Sequence, residues 1–294
     1  MVKKRNVIIG AARGYSFEQL RPFFLSLSRT TFDGESVLLW SELNLETRAA
    51  LQQLGVTLVH IGYAGNGPEN PWSRFWPLFR MFAAAPIGSL LKRGIYKKLL
   101  NIGTSRFIHA LDFLENRTDL YGNVLLSDVR DVIFQDDPFR NQLRCNLVAF
   151  LEAPQLKFGE EPNYNDRWIY NNYGMKTLDN LRGFRISCCG TVMGNACSIV
   201  EYLRNFVAEI GKLKTLSWGA DTSVHNVLVR DVMKNDFCIS ENLERVATLG
   251  NECFEKIRYD ASGLLLGRDG RPVPILHQCP PEILHSLYRS LLLN

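Results

Sequence analysis

The sequence predicts an α/β protein built on a mainly parallel, doubly wound sheet. Three observations carry that expectation. The first sixty residues alternate strand and helix patterns, which is how parallel strands are connected. An apolar strand in mid-chain delivers two carboxylates at its end, where open sheets of this kind bind ligands. The 294 residues are 46% hydrophobic and 22% charged, an ordinary globular balance with ample room for a core.

Val7–Gly10 reads as a buried first strand, followed by the small-residue turn Ala11-Ala12-Arg13-Gly14. Phe17–Leu27 repeats apolar residues at helical spacing through Leu20, Phe23, Phe24 and Leu27. Val37–Trp40 is a second strand, Asn44–Leu54 a helix with Asn44 as N-cap and Gly55 as stop, and Val56–Ile61 a third strand. Gly65–Pro71 is a loop, after which Trp72, Phe75, Trp76, Phe79 and Phe82 share one helical face that belongs to the core. Ile95–Ile102 and Ser105–Leu114 are further helices. Val124–Leu126 and Asn146–Leu151 are strands, and polar, aromatic Glu160–Gly174 reads as a surface loop. Cys188–Met193, a helix over Cys197–Leu213 and a shorter one over Asp221–Arg230 follow. No repeat or low-complexity linker interrupts the chain, so one domain over residues 1–294 is expected.

Thirty-four basic and 30 acidic residues leave a net charge of +4, too little for a dedicated nucleic-acid binder. The positive charge is concentrated. Arg74, Arg80, Lys92, Arg93, Lys97, Lys98 and Arg106 fall between Asn70 and Leu111, a stretch without Asp or Glu. Its destination is a binding pocket, solvent or a membrane surface. Leu90–Leu100 mixes apolar with basic pairs as interfacial helices do, although Gly94 interrupts its helical pattern. No apolar run reaches the roughly 18 residues of a membrane helix, and Arg13 cuts the first apolar stretch short of a signal-peptide core. Seven cysteines form an odd set without a CxxC pair, the usage expected of a reduced cytoplasmic protein. Five scattered histidines give no zinc spacing.

The chemistry concentrates in Val124-Leu-Leu-Ser-Asp128-Val-Arg-Asp131-Val-Ile-Phe134. Two hard oxygen ligands at a strand end suit Mg²⁺ or Mn²⁺. The residues alone equally allow Asp128 to cap a turn and Asp131 to pair with Arg130 or another base. Gly10–Gly14 matches neither the GxGxxG fingerprint nor a P-loop.

The stretch LLSDVRDVIFQDDPF resembles the DxD region of GT-A glycosyltransferases, which use nucleotide-diphosphate sugars as donors. Asp131 matches the second motif aspartate. Asp128 stands three residues before it, giving DxxD, with Val129 in the usual place. NVIIGAARGYSFEQLRPFFLSL resembles the family's first strand and donor loop, where Gly10, Ala11 and Ala12 would admit the base and ribose. WGADTSVHNVLV resembles the late helix start that faces the sugar and carries over Asp221 alone. RPVPILHQCPP resembles a C-terminal strand ending in a histidine, which makes His277 a third metal ligand as in glycogenin-like transferases. Arg106 lies where related enzymes place a basic residue near the diphosphate.

The resemblance covers nearly the whole chain in order. It implies a GT-A-like, Rossmann-type three-layer sandwich, with a nucleotide-binding half at about 1–135 and an acceptor half at about 136–294. It implies transfer of a sugar from a nucleotide sugar to a glycan or lipid-linked acceptor, with Mn²⁺ or Mg²⁺ as cofactor. Asp221 is the first choice of general base, ahead of Asp166 and Glu160. From the residues alone, Asp221 could instead be an N-cap, and His277, like His225, a core histidine. Arg106 reads equally as a structural or solvated arginine. A cytoplasmic setting is expected, with peripheral contact at a membrane's inner face through 74–106. Two alternatives stand beside this reading. A sugar nucleotidyltransferase would carry a Gly-rich signature and a basic residue after the first strand, where only Arg13 is near. A carbohydrate-binding or scaffold protein would keep the fold without catalysis.

Overall fold

A computed structural model describes residues 4–62, 75–83, 89–160, 164–216, 218–250 and 257–280. β1 (Arg5–Arg13) turns Val7 and Ile9 to one side and Ile8 and Ala12 to the other, all of them buried. A strand apolar on both faces demands cover on both. α1 (Phe17–Ser28) covers the Ile8 face with Leu20, Phe23, Phe24 and Leu27, its start braced by Gln19 Oε1 accepting from Ser16 N at 2.9 Å. β2 (Glu35–Ser41), α2 (Leu45–Gln53) and β3 (Thr57–His60) complete the first crossovers. Asn44 caps α2 by accepting from Thr47 N at 2.7 Å, and Gly55 ends it at φ +76°.

α3 (Trp76–Ala83), α4 (Ser89–Leu99) and α5 (Ile102–Leu114) lead back to β4 (Tyr121–Ser127), which lies beside β1. Then come β5 (Ile133–Phe134), β6 (Leu147–Leu151), α6 (Tyr164–Asn172), α7 (Met175–Leu181), β7 (Ser187–Asn195), α8 (Ala196–Ile210) and α9 (Ala220–Val227), the last running into a π-helical turn over Leu228–Val232. β8 (Phe237–Ser240), β9 (Val246–Thr248), β10 (Arg258–Tyr259), β11 (Leu265–Leu266) and β12 (Ile275–His277) follow.

The main sheet runs β3-β2-β1-β4-β7-β6-β8, and only β7 is antiparallel to its neighbours. Strand order reverses between β1 and β4, so their carboxyl ends open a crevice at the switch point. Helices α5 and α8 close the Val7 face, with Phe107 stacked on Phe206 at 4.0 Å between ring centroids. The mainly parallel, three-layer α/β architecture expected from the sequence is present. A smaller sheet, β5-β12-β9, joins the segment after β4 to the C-terminal strand: Leu276 pairs with Ile133, and His277 with Thr248.

Three expectations are corrected. The 160–174 segment is not a loop: α6 lies within it, its buried Ile169 and Asn172 facing α9. Its polar composition hides the period because so few of its residues need burial. Gly94 does not break α4, where it sits exposed in mid-helix. The cysteines are not all reduced, since Cys145 and Cys238 form a disulfide at a Cα separation of 6.0 Å, joining the approach to β6 with β8. That bond removes cysteine usage as an argument for compartment. Trp76 is buried as expected, its indole donating to Leu213 O at 2.8 Å, while Trp72, Arg74 and the 65–71 loop lie outside the described residues. No helix among the described residues is long and apolar enough to cross a membrane.

Candidate functional site

The site is built where β4 ends. Asp128 follows Ser127, and its N–H donates to Gly190 O of β7 at 2.8 Å, so the chain leaves the sheet with the carboxylate aimed into the crevice mouth. β12 brings His277 to the same point. His277 Nε2 lies 3.3 Å from Asp128 Oδ2 and 4.0 Å from Asp131 Oδ1. One donor atom from each of the three falls within 4.8 Å of the others, a spacing that one cation could span. Asp131 is also tied to this strand through its carbonyl, which accepts from Cys279 N at 3.2 Å.

Burial lowers the His277 pKa from its ordinary value, and Asp131 opposes the shift only in part. The ring is thus held neutral, as a metal ligand must be. Its Nδ1 faces Cys188 Sγ at 3.4 Å, leaving Nε2 toward the carboxylates. Behind Cys188 lies buried Glu152, whose pKa is raised by loss of solvent. Gly190 makes the convergence sterically feasible, since a Cβ there would strike both the His277 ring and Asp128.

Arg106 enters from α5. Its Nη1 pairs with Asp128 Oδ1, while Nη2 donates to Cys189 O at 3.3 Å and lies 3.8 Å from Asp221 Oδ2. Asp221 sits in the first turn of α9, whose N-cap is Gly219, so it is not the cap. Its Oδ2 lies 3.6 Å from Cys189 Sγ. One guanidinium therefore links the strand-end aspartate to the helix-start aspartate. Gly10 and Ala11 line a narrow pocket beside Arg106, with Ile9, Leu39 and Leu126 as its apolar walls.

Other sequence candidates fall elsewhere. Ala12 does not line that pocket: it is fully buried in the α1 layer. Asp166 accepts from Gly159 N at 2.9 Å, and Glu160 pairs with Lys157 at 3.1 Å. His225 is the core histidine expected, held between Ser187 Oγ and Tyr202 OH at 2.9 Å each, and burial pushes its pKa down to about 3. In the basic segment, Arg93 is buried against Glu115 and Lys97 pairs with Asp112, so these bases read as membrane-facing have intramolecular partners. Sequence reasoning passed over Gly190, Cys188 and Glu152. A glycine inside an apolar strand was the available signal, because it marks close approach by another group.

No family model and no curated protein sequence matches the chain. Solved structures do. The galactosyltransferase LgtC in complex with donor and acceptor sugar analogues superimposes with a TM-score of 0.52 at 17% identity, covering 97% of this chain and 95% of that one. An active-site mutant of LgtC gives a TM-score of 0.48 at the same identity and coverage. The resemblance carried by the motifs thus extends to the architecture, and the chain has a GT-A-type fold.

Proposed function

We propose that this chain is a divalent-metal-dependent glycosyltransferase, transferring a sugar from a nucleotide-diphosphate donor to an acceptor hydroxyl. The observation that carries the reading is the Asp128–Asp131–His277 group at the carboxyl end of β4. Two carboxylates and an imidazole suit Mn²⁺ better than Mg²⁺, which favours an all-oxygen shell. The neutral His277 and the negative charge at the strand end fit such an ion. Bound there, it would supply Lewis-acid stabilisation of the departing diphosphate.

The remaining roles belong to the chain. Arg106 orients Asp128 and Asp221 together and adds positive charge beside the diphosphate. Asp221, facing the crevice from a helix start, accepts the proton of the acceptor hydroxyl or holds the sugar. Gly10 and Ala11, which line the narrow pocket beside Arg106, would face the base and ribose. The likeness to an enzyme solved with sugar analogues supports the reading at the level of fold. The acceptor is a glycan or a lipid-linked glycan in a cytoplasmic setting.

The test is donor hydrolysis over a set of nucleotide sugars, with Mn²⁺, Mg²⁺ or chelator present. Hydrolysis of at least one donor, lost on chelation, is the expected result. Metal-dependent nucleotide binding without turnover would identify a non-catalytic relative of the fold. Formation of nucleotide sugar from a sugar phosphate and a nucleoside triphosphate would instead identify a nucleotidyltransferase.

A further inference from the structure

Trp218 and Tyr164 are 72% and 77% exposed, whereas Trp76, Tyr202 and Phe206 are fully buried in the core. Large rings left in water singly need no explanation, but a group of them marks a contact surface. These belong to such a group. α6 packs on α9, and the Trp168 indole lies directly on Gly219, where a Cβ would run into the ring. Tyr164 stacks on Trp168 one turn away, at 6.4 Å between centroids and 28° between planes. Trp218 immediately precedes Gly219, and Asp221 follows two residues later in the first turn of the same helix. The Tyr164–Trp168 stack therefore lies against the end of α9 that also presents the carboxylate reaching Arg106, and exposed Trp218 enters the same end one residue before Gly219.

We infer that Trp218, Trp168 and Tyr164 form a stacking platform for a pyranose ring of a saccharide acceptor. That the bound saccharide is an acceptor rests on the glycosyltransferase reading; that a saccharide binds does not. A pyranose offers an apolar C–H face and a rim of hydroxyls. An aromatic face carries negative quadrupole charge that attracts such C–H groups, while polar side chains alongside take the hydroxyls. Exposed Arg167 on α6 supplies that polar margin. The patch is made of rings rather than of leucine or isoleucine, which suits a sugar better than an acyl chain or an aliphatic protein surface. Its place beside Asp221 puts a ring stacked there next to the group that would receive the acceptor proton.

The experiment is saturation-transfer NMR on the full chain with methyl pyranosides of glucose, galactose, mannose and N-acetylglucosamine, open-chain sorbitol serving as control. At least one pyranoside should bind and sorbitol should not. Trp218→Ala and Tyr164→Ala should each raise its half-saturation concentration about tenfold, while Tyr259→Ala, at an exposed ring elsewhere, should not. Melting curves confirm that the variants fold, as expected for side chains so exposed. Absence of binding to every pyranoside, or equal binding by wild type and Trp218→Ala, overturns the platform. So does concentration-dependent self-association that Trp218→Ala abolishes, because the rings would then face a second copy. If wild type hydrolyses no nucleotide sugar yet binds pyranosides through Trp218, the transferase reading fails and the platform stands. If it hydrolyses donors but Trp218→Ala binds pyranosides unchanged, only the platform fails.

Discussion

The two ends of α5 carry the same kinds of charge and use them in opposite ways. At the C-terminal end, Glu115 takes Arg93 of α4 in two contacts, at 2.6 and 3.2 Å, and Arg204 of α8 at 3.0 Å. Asp112 takes Lys97 and a further Arg93 contact at 3.2 Å. These guanidinium contacts hold the Glu115 pKa down to about 2, and the network ties three helices together. At the other end, Arg106 is one guanidinium within reach of two carboxylates, and Asp131 adds a third across His277. In the first set three cations meet two carboxylates, so no negative charge is left over. The second is open to the crevice and retains negative charge that a cation would balance. The first set lies between packed helices, while the second gathers where β4 and β12 end and α9 begins.

That contrast can be broken most forcefully at Asp131. Asp131→Asn should weaken Mn²⁺-dependent binding of a nucleotide diphosphate by about 100-fold or more while the fold survives. Titrating the nucleotide with and without Mn²⁺ checks this, and an unchanged metal dependence removes Asp131 from the site. Asp128→Asn should act in the same direction but less, because Arg106 already shares that carboxylate. Next in size, Asp221→Asn should lower turnover by a factor on the order of 100 with donor binding nearly intact. Parallel losses of stability and rate would make it a structural residue instead.

A matched pair of substitutions sharpens the comparison further. Arg93→Met should cost about 1–3 kcal/mol in denaturant unfolding, discounted from a fully buried pair because Glu115 keeps contact with water. Nucleotide binding should be unaffected. Arg106→Met should show the reverse, with the smaller stability cost, since the Arg106 side chain is 17% exposed against 8% for Arg93, and with nucleotide binding impaired. If Arg106→Met proves the more destabilising of the two, the distinction between the ends collapses.

A last comparison is pH dependence, which reads buried histidines rather than the charged ends of α5. Burial pushes His225 down to about 3 and His109 to about 4, so both fold in the neutral form. Below the unfolded value near 6.5, the unfolded chain takes up protons that the native state refuses. Stability should therefore be flat above pH 6.5 and fall as pH drops. The slope approaches about 1.4 kcal/mol per unit for each histidine, until the native state protonates near 4 and then 3. Unfolding midpoints at pH 7, 6 and 5 test this, before Glu115 begins to contribute. Replacing His109 by Gln should remove one histidine's share.

Much of the frame was legible because it depends on short-range pattern. Alternating apolar strands and amphipathic helices place β1, α1, β2, α2 and β3 within a few residues of their observed limits. Asn44 reads as a cap because its side chain bonds to a backbone N–H three residues on, an interaction internal to the segment. Asp128 and Asp131 stand out because a strand end dictates where carboxylates will point. α6 was illegible for the opposite reason. Two buried positions in nine give no period, and its helix is supported by α9, which lies some fifty residues away in the chain.

What the sequence determined by itself is the order of layers and the strand end that carries the acids, since hydrophobic period and connection length act locally. Only the tertiary structure decided which groups meet there. His277 arrives from 149 residues away through β12 pairing with β5 and β9, and Gly190 leaves it space from β7. Cys145 and Cys238 meet because β6 and β8 are neighbours in the sheet, a relation that no spacing of cysteines encodes. Arg106 could have served solvent, membrane or site, and the packing of α5 against β1 brings it to Asp128 and Asp221. Burial then set the protonation of His277 and His225, both lowered by desolvation. Two carboxylates face one of these rings and two hydroxyls hold the other. A side chain's chemistry depends on its neighbours, and long-range pairing chooses them.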